Sequence, residues 1–277
     1  VSPDDDTADI GIIGGTGFYS FLSDARTVRI ETPFGQPSAD LAIGTVGDRR
    51  VAFLPRHGAH HEFAPHRVNY RANLWALRSV GVRQVLAPCA VGSLQPELGP
   101  GTFVVPDQVV DRSWGRAHTV FDQQGPVAHV SFADPYCPRG RRVVLSRADP
   151  ADGLVDGGTL VVVNGPRFSS RAESVWHAAQ GWSLVGMTGM PEASIARELA
   201  LCYTCVALVT DHDAGVAAGQ VVTHAEVLET FARNIDRLKA LLRRVVAGLP
   251  DPEPDDNAVC TCRRSLDGLP LPFSLPG

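Results

Sequence analysis

The segment PRHGAHHEFAPHR, residues 55–67, gathers two arginines and four histidines into thirteen positions. Arg56 offers a planar fork of donors that matches phosphate, and the adjacent His57 adds a second donor. The histidines alone leave two other readings open. One is a divalent metal, although no carboxylate or cysteine pattern completes a ligand set. The other is a solvated loop. An anion site fits best, because Arg56 and His57 follow directly on the apolar run VAFLP, at a strand end where α/β sheets place ligands. GIIGGTG, residues 11–17, is a second anion candidate: an apolar run, Ile10–Ile13, enters a glycine-rich turn carrying one hydroxyl, Thr16. Its glycines, at 11, 14, 15 and 17, miss the G-x-G-x-x-G spacing of a dinucleotide site. No lysine follows them, Lys239 being the only one in the chain, which excludes a Walker-type loop. A tight turn would account for the glycines but has no need of Thr16.

Four more segments have the same character: APCAVGSL (87–94), NGPRFSSRAES (164–174), GMTGMPEASIA (186–196) and VTDHDAG (209–215). Each joins an apolar run to small, hydroxyl or charged residues. Together the six suggest one composite site assembled from strand ends.

The elements that must hold these segments alternate between strand and helix, the signature of an α/β fold. Strands are expected at 10–13, 41–46, 51–54, 82–87, 103–105, 159–163 and 205–210. A helix is expected from about Val68 to Val80, stopped by Gly81. SRAE (170–173) and THAE (223–226) read as capping boxes opening two more. In the last of these, Val227, Leu228, Phe231, Ile235, Leu238, Leu242 and Val245 recur at helical spacing, which predicts a buried face. No internal repeat or domain boundary interrupts the pattern. The expected division is a frayed N-terminus (1–8), one domain (9–249), then a Pro-rich linker and apolar tail (250–277).

The chain has 277 residues, 44% hydrophobic and 20% charged, with a net charge of −5. That suits a soluble globular protein, gives no basic field for nucleic acid, and contains no run of membrane-spanning length. The acidic start VSPDDDTAD lacks the apolar core of a signal peptide, so a cytoplasmic location is expected. Six cysteines are then expected as reduced thiols. CYTC (202–205) reads as strand packing, and CTC (260–262) as the better candidate for a strained disulfide.

IGIIGGTG, TPFGQPS, RHG, VNYRANLWAL, GSL, GPRFSSRAES, MTGMPEA and TDHD, in this order, resemble the trimeric purine nucleoside phosphorylases, closest to the 5′-methylthioadenosine phosphorylase branch. The match runs from about Ile10 to Leu242. The resemblance implies a single-domain mixed β-sheet flanked by helices. It implies phosphate as co-substrate, held by Thr16, Arg56, His57, Cys89, Ala90 and Thr188. Cys89 departs from the branch, which often carries Thr there, and a thiol is a weaker donor. Met187 would lie under the ribose. Phe168, Ser169 and Thr210 would surround the base, Asp211 would read it and act as the catalytic acid, and Asp213 would support it. Asp211 points to 6-aminopurines, since 6-oxopurine enzymes usually carry Asn there. His129 would enter a neighbouring subunit's site, implying a homotrimer or a dimer of trimers. His224 is a second departure: the alkylthio branch tends to be apolar there, whereas the 6-oxopurine branch has His for a 5′-hydroxyl. No metal or organic cofactor is implied.

The implied reaction is phosphorolysis of 5′-methylthioadenosine or a related 5′-modified adenosine. The rival enzyme reading is a phosphorylase acting on adenosine or on 6-oxopurine nucleosides such as inosine. A nucleoside hydrolase would leave Arg56 and His57 without an anion. A non-catalytic nucleoside-binding protein is the reading from another class. A serine hydrolase lacks its G-x-S-x-G elbow.

Overall fold

The computed structural model describes residues 6–15, 21–216, 222–251 and 260–277. In chain order the elements are β1 (Ile10–Gly14), β2 (Ser23–Val28), β3 (Leu41–Val46), β4 (Arg49–Pro55), α1 (Tyr70–Ser79), β5 (Gln84–Ser93), β6 (Phe103–Val105), β7 (Gln108–Arg112), α2 (Pro138–Arg147), β8 (Leu154–Asp156), β9 (Thr159–Val163), α3 (Arg171–Ala179), β10 (Leu184–Gly186), α4 (Gly189–Glu198), β11 (Cys202–His212) and α5 (His224–Gly248). The strands form one mixed sheet in the order β2-β3-β4-β1-β5-β10-β9-β7, with β11, β6 and β8 branching from β5. The α/β class and the mixed sheet flanked by helices are as expected.

Helices cover both faces. Leu74 and Leu77 of α1 and Ile195 and Ala196 of α4 share one apolar cluster. Val144 of α2 and Leu238, Leu242 and Val245 of α5 share the other. β1 is buried on both sides, as its near-continuous apolar run requires. No helix among the described residues is long and apolar enough to cross a membrane.

β5 decides where a site can form. β1 pairs with it only at residues 84–86, and β10 joins the same edge only at 92–93. Between them, residues 87–91 have a strand neighbour on the β11 side alone. The strand therefore runs through Pro88, beyond the expected stop at Ala87, because a proline is tolerated on an open edge. Residues two apart in a strand present their backbone to the same side. The Pro88 carbonyl accepts from Arg56 Nη1 on that edge (3.2 Å), so the Ala90 N–H faces it too. Ala90 is the one exposed residue of β5.

Ala8 is buried, and its N–H donates to Val80 O (2.8 Å), so the folded body takes in residue 8. At the other end Phe273 packs edge-on against Trp75 and stacks on Phe121, and Arg83 donates to Gly277 O (2.9 Å).

Candidate active site

The open edge of β5 gives onto a cavity of about 320 Å³, a size suited to a small molecule. Arg56, His57, Cys89, Ala90, Phe168, Ser169, Met187, Thr188, Thr210, Asp211, Asp213 and His224 all line it. Thr16 lies outside the described residues; its neighbour Gly15 lines the cavity.

At one end stands Arg56, fully inside, and its fork is not free. Nε and Nη2 donate to the two oxygens of Glu192 (2.8 and 2.9 Å), Nη2 also to Ile13 O (3.0 Å) and Nη1 to Pro88 O. Four of the five guanidinium N–H groups are thus bonded within the protein. Of the donor fork expected to face an anion, one Nη1 N–H is left without a partner among the described contacts. Burial alone would depress the Arg56 pKa, but the Glu192 carboxylate outweighs it and holds the group charged.

His57 also differs from the expected second donor. Its Nδ1 stands 2.8 Å from Phe63 O, which fixes the N–H on that nitrogen. Burial and the Arg56 charge lower its pKa to about 4. Neutral His57 therefore presents Nε2 as an acceptor, suited to the hydroxyl of a hydrogenphosphate ion. The Cys89 thiol lies 3.6 Å from Cys205 Sγ. Thr188 stands at the N-terminal cap of α4 but makes no capping bond with its side chain, so its hydroxyl remains for a ligand.

The opposite end is built by an irregularity in β11. Val209 pairs with Val91 and Asp211 with Gly92, so Thr210 is an extra residue, a β-bulge. Strict alternation would send Thr210 and Asp211 to opposite faces; the bulge lets both reach the cavity. Thr210 Oγ1 lies within hydrogen-bonding reach of Val91 O (3.2 Å) and Asp211 Oδ1 (3.1 Å). Burial pushes the Asp211 pKa up to about 6, opposed by the Thr210 hydroxyl and assisted by Asp213 and Glu226. Asp213 is buried, and its Oδ2 has no hydrogen-bond partner among the described residues. Two adjacent carboxylates, one of them unsatisfied, await donors.

Gly92 makes this approach possible. A Cβ there would stand 3.1 Å from Val185 Cγ1, 3.2 Å from Asp211 Oδ2 and 3.4 Å from Asp213 Cβ. Overpacking of this kind costs about 1–3 kcal/mol. Gly92→Ala is expected to fold and to raise the substrate KM about tenfold in steady-state kinetics.

Met187, Phe168 and Ser169 supply further parts of the lining. Ser170 and Glu173 form the expected capping box at the start of α3 and fix the loop that carries Phe168 and Ser169. Arg116 clamps the other wall: its guanidinium donates to the carbonyls of Met187 (2.9 Å), Asn164 (2.8 Å) and Met190. At the mouth, His224 is exposed to the cavity beside His61, whose pKa is lowered by burial and by the His224 charge. Val227, Leu228 and Phe231 form an apolar wall next to it. The expected buried face of this helix is therefore corrected at its start. Leu238, Leu242 and Val245 are core, whereas Leu228 is 53% exposed and faces the cavity. His129 is exposed and does not line the cavity.

A family profile described as the phosphorylase superfamily matches residues 9–247. The chain belongs to the phosphorylase superfamily. It is 59% identical over 277 residues to a Streptomyces coelicolor protein named purine nucleoside phosphorylase, covering 97% of this chain and 98% of that one. It is 58% identical over 268 residues to a Mycobacterium tuberculosis protein named S-methyl-5′-thioadenosine phosphorylase, covering 96% and 97%. Among solved structures, a methylthioadenosine phosphorylase from an antarctic soil metagenomic library superposes with a TM-score of 0.87 at 40% identity, covering 95% of this chain and 92% of that chain. A Schistosoma mansoni methylthioadenosine phosphorylase in complex with adenine gives 0.82 at 38% identity, covering 87% and 91%.

In this phosphorylase, two residues that position the site escaped the reading of motifs. Glu192 sits inside MTGMPEA, but its partner Arg56 is distant in sequence, and nothing local signals the pairing. Arg116 lies in a loop, and its bonds go to backbone carbonyls, which carry no sequence signature.

Proposed function

We propose that the chain cleaves the N-glycosidic bond of 5′-methylthioadenosine, or a related 5′-modified adenosine, with inorganic phosphate. The products are adenine and 5-methylthioribose 1-phosphate. The observation that carries the base assignment is the pair Asp211 and Asp213, one with a raised pKa and the other with an unpartnered buried oxygen. The exocyclic amine of a 6-aminopurine donates to a carboxylate, whereas the oxygen of a 6-oxopurine would repel it.

Phosphate lies under the sugar, against Thr188, the Ala90 N–H, the free Arg56 donor and Nε2 of His57, and Thr16 is proposed as a further contact. It attacks C1′ from the face opposite the base, with inversion. The transition state carries positive charge on the ribose ring, and the anion beneath stabilises it. Arg56 and Glu192 form a neutral pair, so the site orients the phosphate without cancelling the negative charge that the sugar needs. The departing base gathers charge at N7, where protonated Asp211 delivers a proton. Phosphorus-31 NMR tests the reaction class. A sugar 1-phosphate resonance should grow in step with adenine. Release of free sugar with phosphate unchanged would make the protein a hydrolase.

The apolar wall of Val227, Leu228 and Phe231 suits a 5′-methylthio group, while His224 beside it can bond a 5′-hydroxyl. Adenosine is therefore the second substrate this pocket admits. His224→Leu is expected to raise the preference for methylthioadenosine over adenosine about tenfold in kcat/KM. We also infer that His129 completes a neighbour's 5′ pocket in a trimer or a dimer of trimers.

A further inference from the structure

Away from the cavity, four cysteines from three parts of the chain meet at one buried point. Cys137 caps the N-terminus of α2, Cys202 opens β11, and Cys260 and Cys262 belong to the C-terminal segment. Their four sulfurs all lie within 4.8 Å of one another, and all four residues are buried. Sγ of Cys260 is 3.4 Å from that of Cys137 and 3.5 Å from that of Cys202. None of the six cysteines is in a disulfide, so the disulfide expected for CTC is corrected, and Cys202 and Cys205 serve different neighbourhoods.

Four thiols crowded together without apolar side chains among them are a poor core. They do match a tetrahedral ion: sulfurs about 2.3 Å from zinc stand about 3.8 Å apart. The surroundings suit thiolates as well. Gly140 N–H points to Cys137 Sγ (3.4 Å), Cys262 N–H to Cys260 Sγ (3.4 Å) and Arg197 Nη2 to Cys262 Sγ (3.7 Å). Such N–H···S contacts orient and partly neutralise a metal's sulfur ligands.

We propose that Cys137, Cys202, Cys260 and Cys262 bind one zinc ion as a tetrathiolate site that fastens the C-terminal segment to the body. The thiols release their protons to solvent as the ion binds, and no redox step is involved. The site is structural, because four protein ligands leave no open position. Arg197 extends its reach. The same guanidinium donates to Ser131 O (2.9 Å) and Asp134 O (2.6 Å), holding the loop that carries His129. Ser265 also donates to Arg197 O (2.7 Å).

The test uses the full chain, purified untagged under reducing conditions and with zinc in the growth medium. Elemental analysis should give close to one zinc per chain. A mercurial thiol reagent should release that zinc into a colorimetric chelator as the thiols are consumed. Replacement by Co(II) should give thiolate-to-metal charge transfer with the d–d bands of a tetrahedral site. The Cys260→Ser/Cys262→Ser variant should retain less than about a tenth of the metal. Metal-free protein with four titratable thiols, metal-free protein with disulfides among these cysteines, or stoichiometric iron in place of zinc would each overturn the assignment. The wild-type measurement stands even if the variant does not fold, and none of these readouts depends on the enzyme's substrate.

Discussion

Asp211→Ala is expected to lower kcat for methylthioadenosine by about 10²–10⁴-fold, the usual contribution of a general acid. The fold should survive, because the Asp211 side chain bonds only Thr210 among the described contacts. The pH profile separates this role from mere binding. With its pKa near 6, Asp211 loses its proton as pH rises through that value. The rate of the chemical step at saturating phosphate should therefore fall above pH 6. Asp211→Asn should lack that limb and turn the base preference toward 6-oxopurines. Stability should also fall with rising pH, but over a lower window. The folded-state pKa is raised, so the folded protein binds the proton more tightly than the unfolded chain. Stability falls as pH rises from about 4 to about 6 and then levels off. At pH 7.5 Asp211→Asn should melt above the wild type, and below pH 4 the two should converge. Unchanged turnover in Asp211→Ala would remove the residue from the mechanism.

The second large effect concerns Glu192. It is 0% exposed and accepts from Arg56 at both oxygens and from the Tyr203 hydroxyl (2.8 Å). Glu192→Ala strands a buried guanidinium, which costs about 3–5 kcal/mol, a fall of roughly 10 °C in melting temperature for a chain of this size. Saturating phosphate should then stabilise the variant more than it stabilises the wild type, because the dianion supplies part of the missing charge. Differential scanning calorimetry with and without phosphate reads both effects. A variant that melts like the wild type, with an equal phosphate response, would mean that Arg56 is not held by this pair.

These two residues also mark the limits of what the sequence could reveal. Asp211 was legible because the end of a buried strand is an expensive place for a carboxylate. The bulge that turns Thr210 and Asp211 to one side was not, since a single extra residue leaves no periodic trace. Four strands went unread for a related reason. β2 and β7 are mostly exposed edge strands of mixed polarity, and β8 and β10 have three residues each. Helix α2 hides behind Pro138, Gly140 and four arginines, and α4 contains Gly189 and Pro191 with non-helical torsions at Met190. Arg56 and His57 were found by type and position, but their states were misjudged. The Glu192 and Phe63 oxygens that consume their donors arrive from elsewhere in the chain. The four-cysteine cluster was invisible for the same reason, since spacing showed only CTC and CYTC.

The central claim is phosphate-dependent cleavage of a 6-aminopurine nucleoside with a 5′-methylthio group. Base release from methylthioadenosine, adenosine and inosine, each with and without phosphate, tests it most directly. Adenine release that requires phosphate and is fastest from methylthioadenosine is the expected result. Inosine as the best substrate, or a rate indifferent to phosphate, would contradict it.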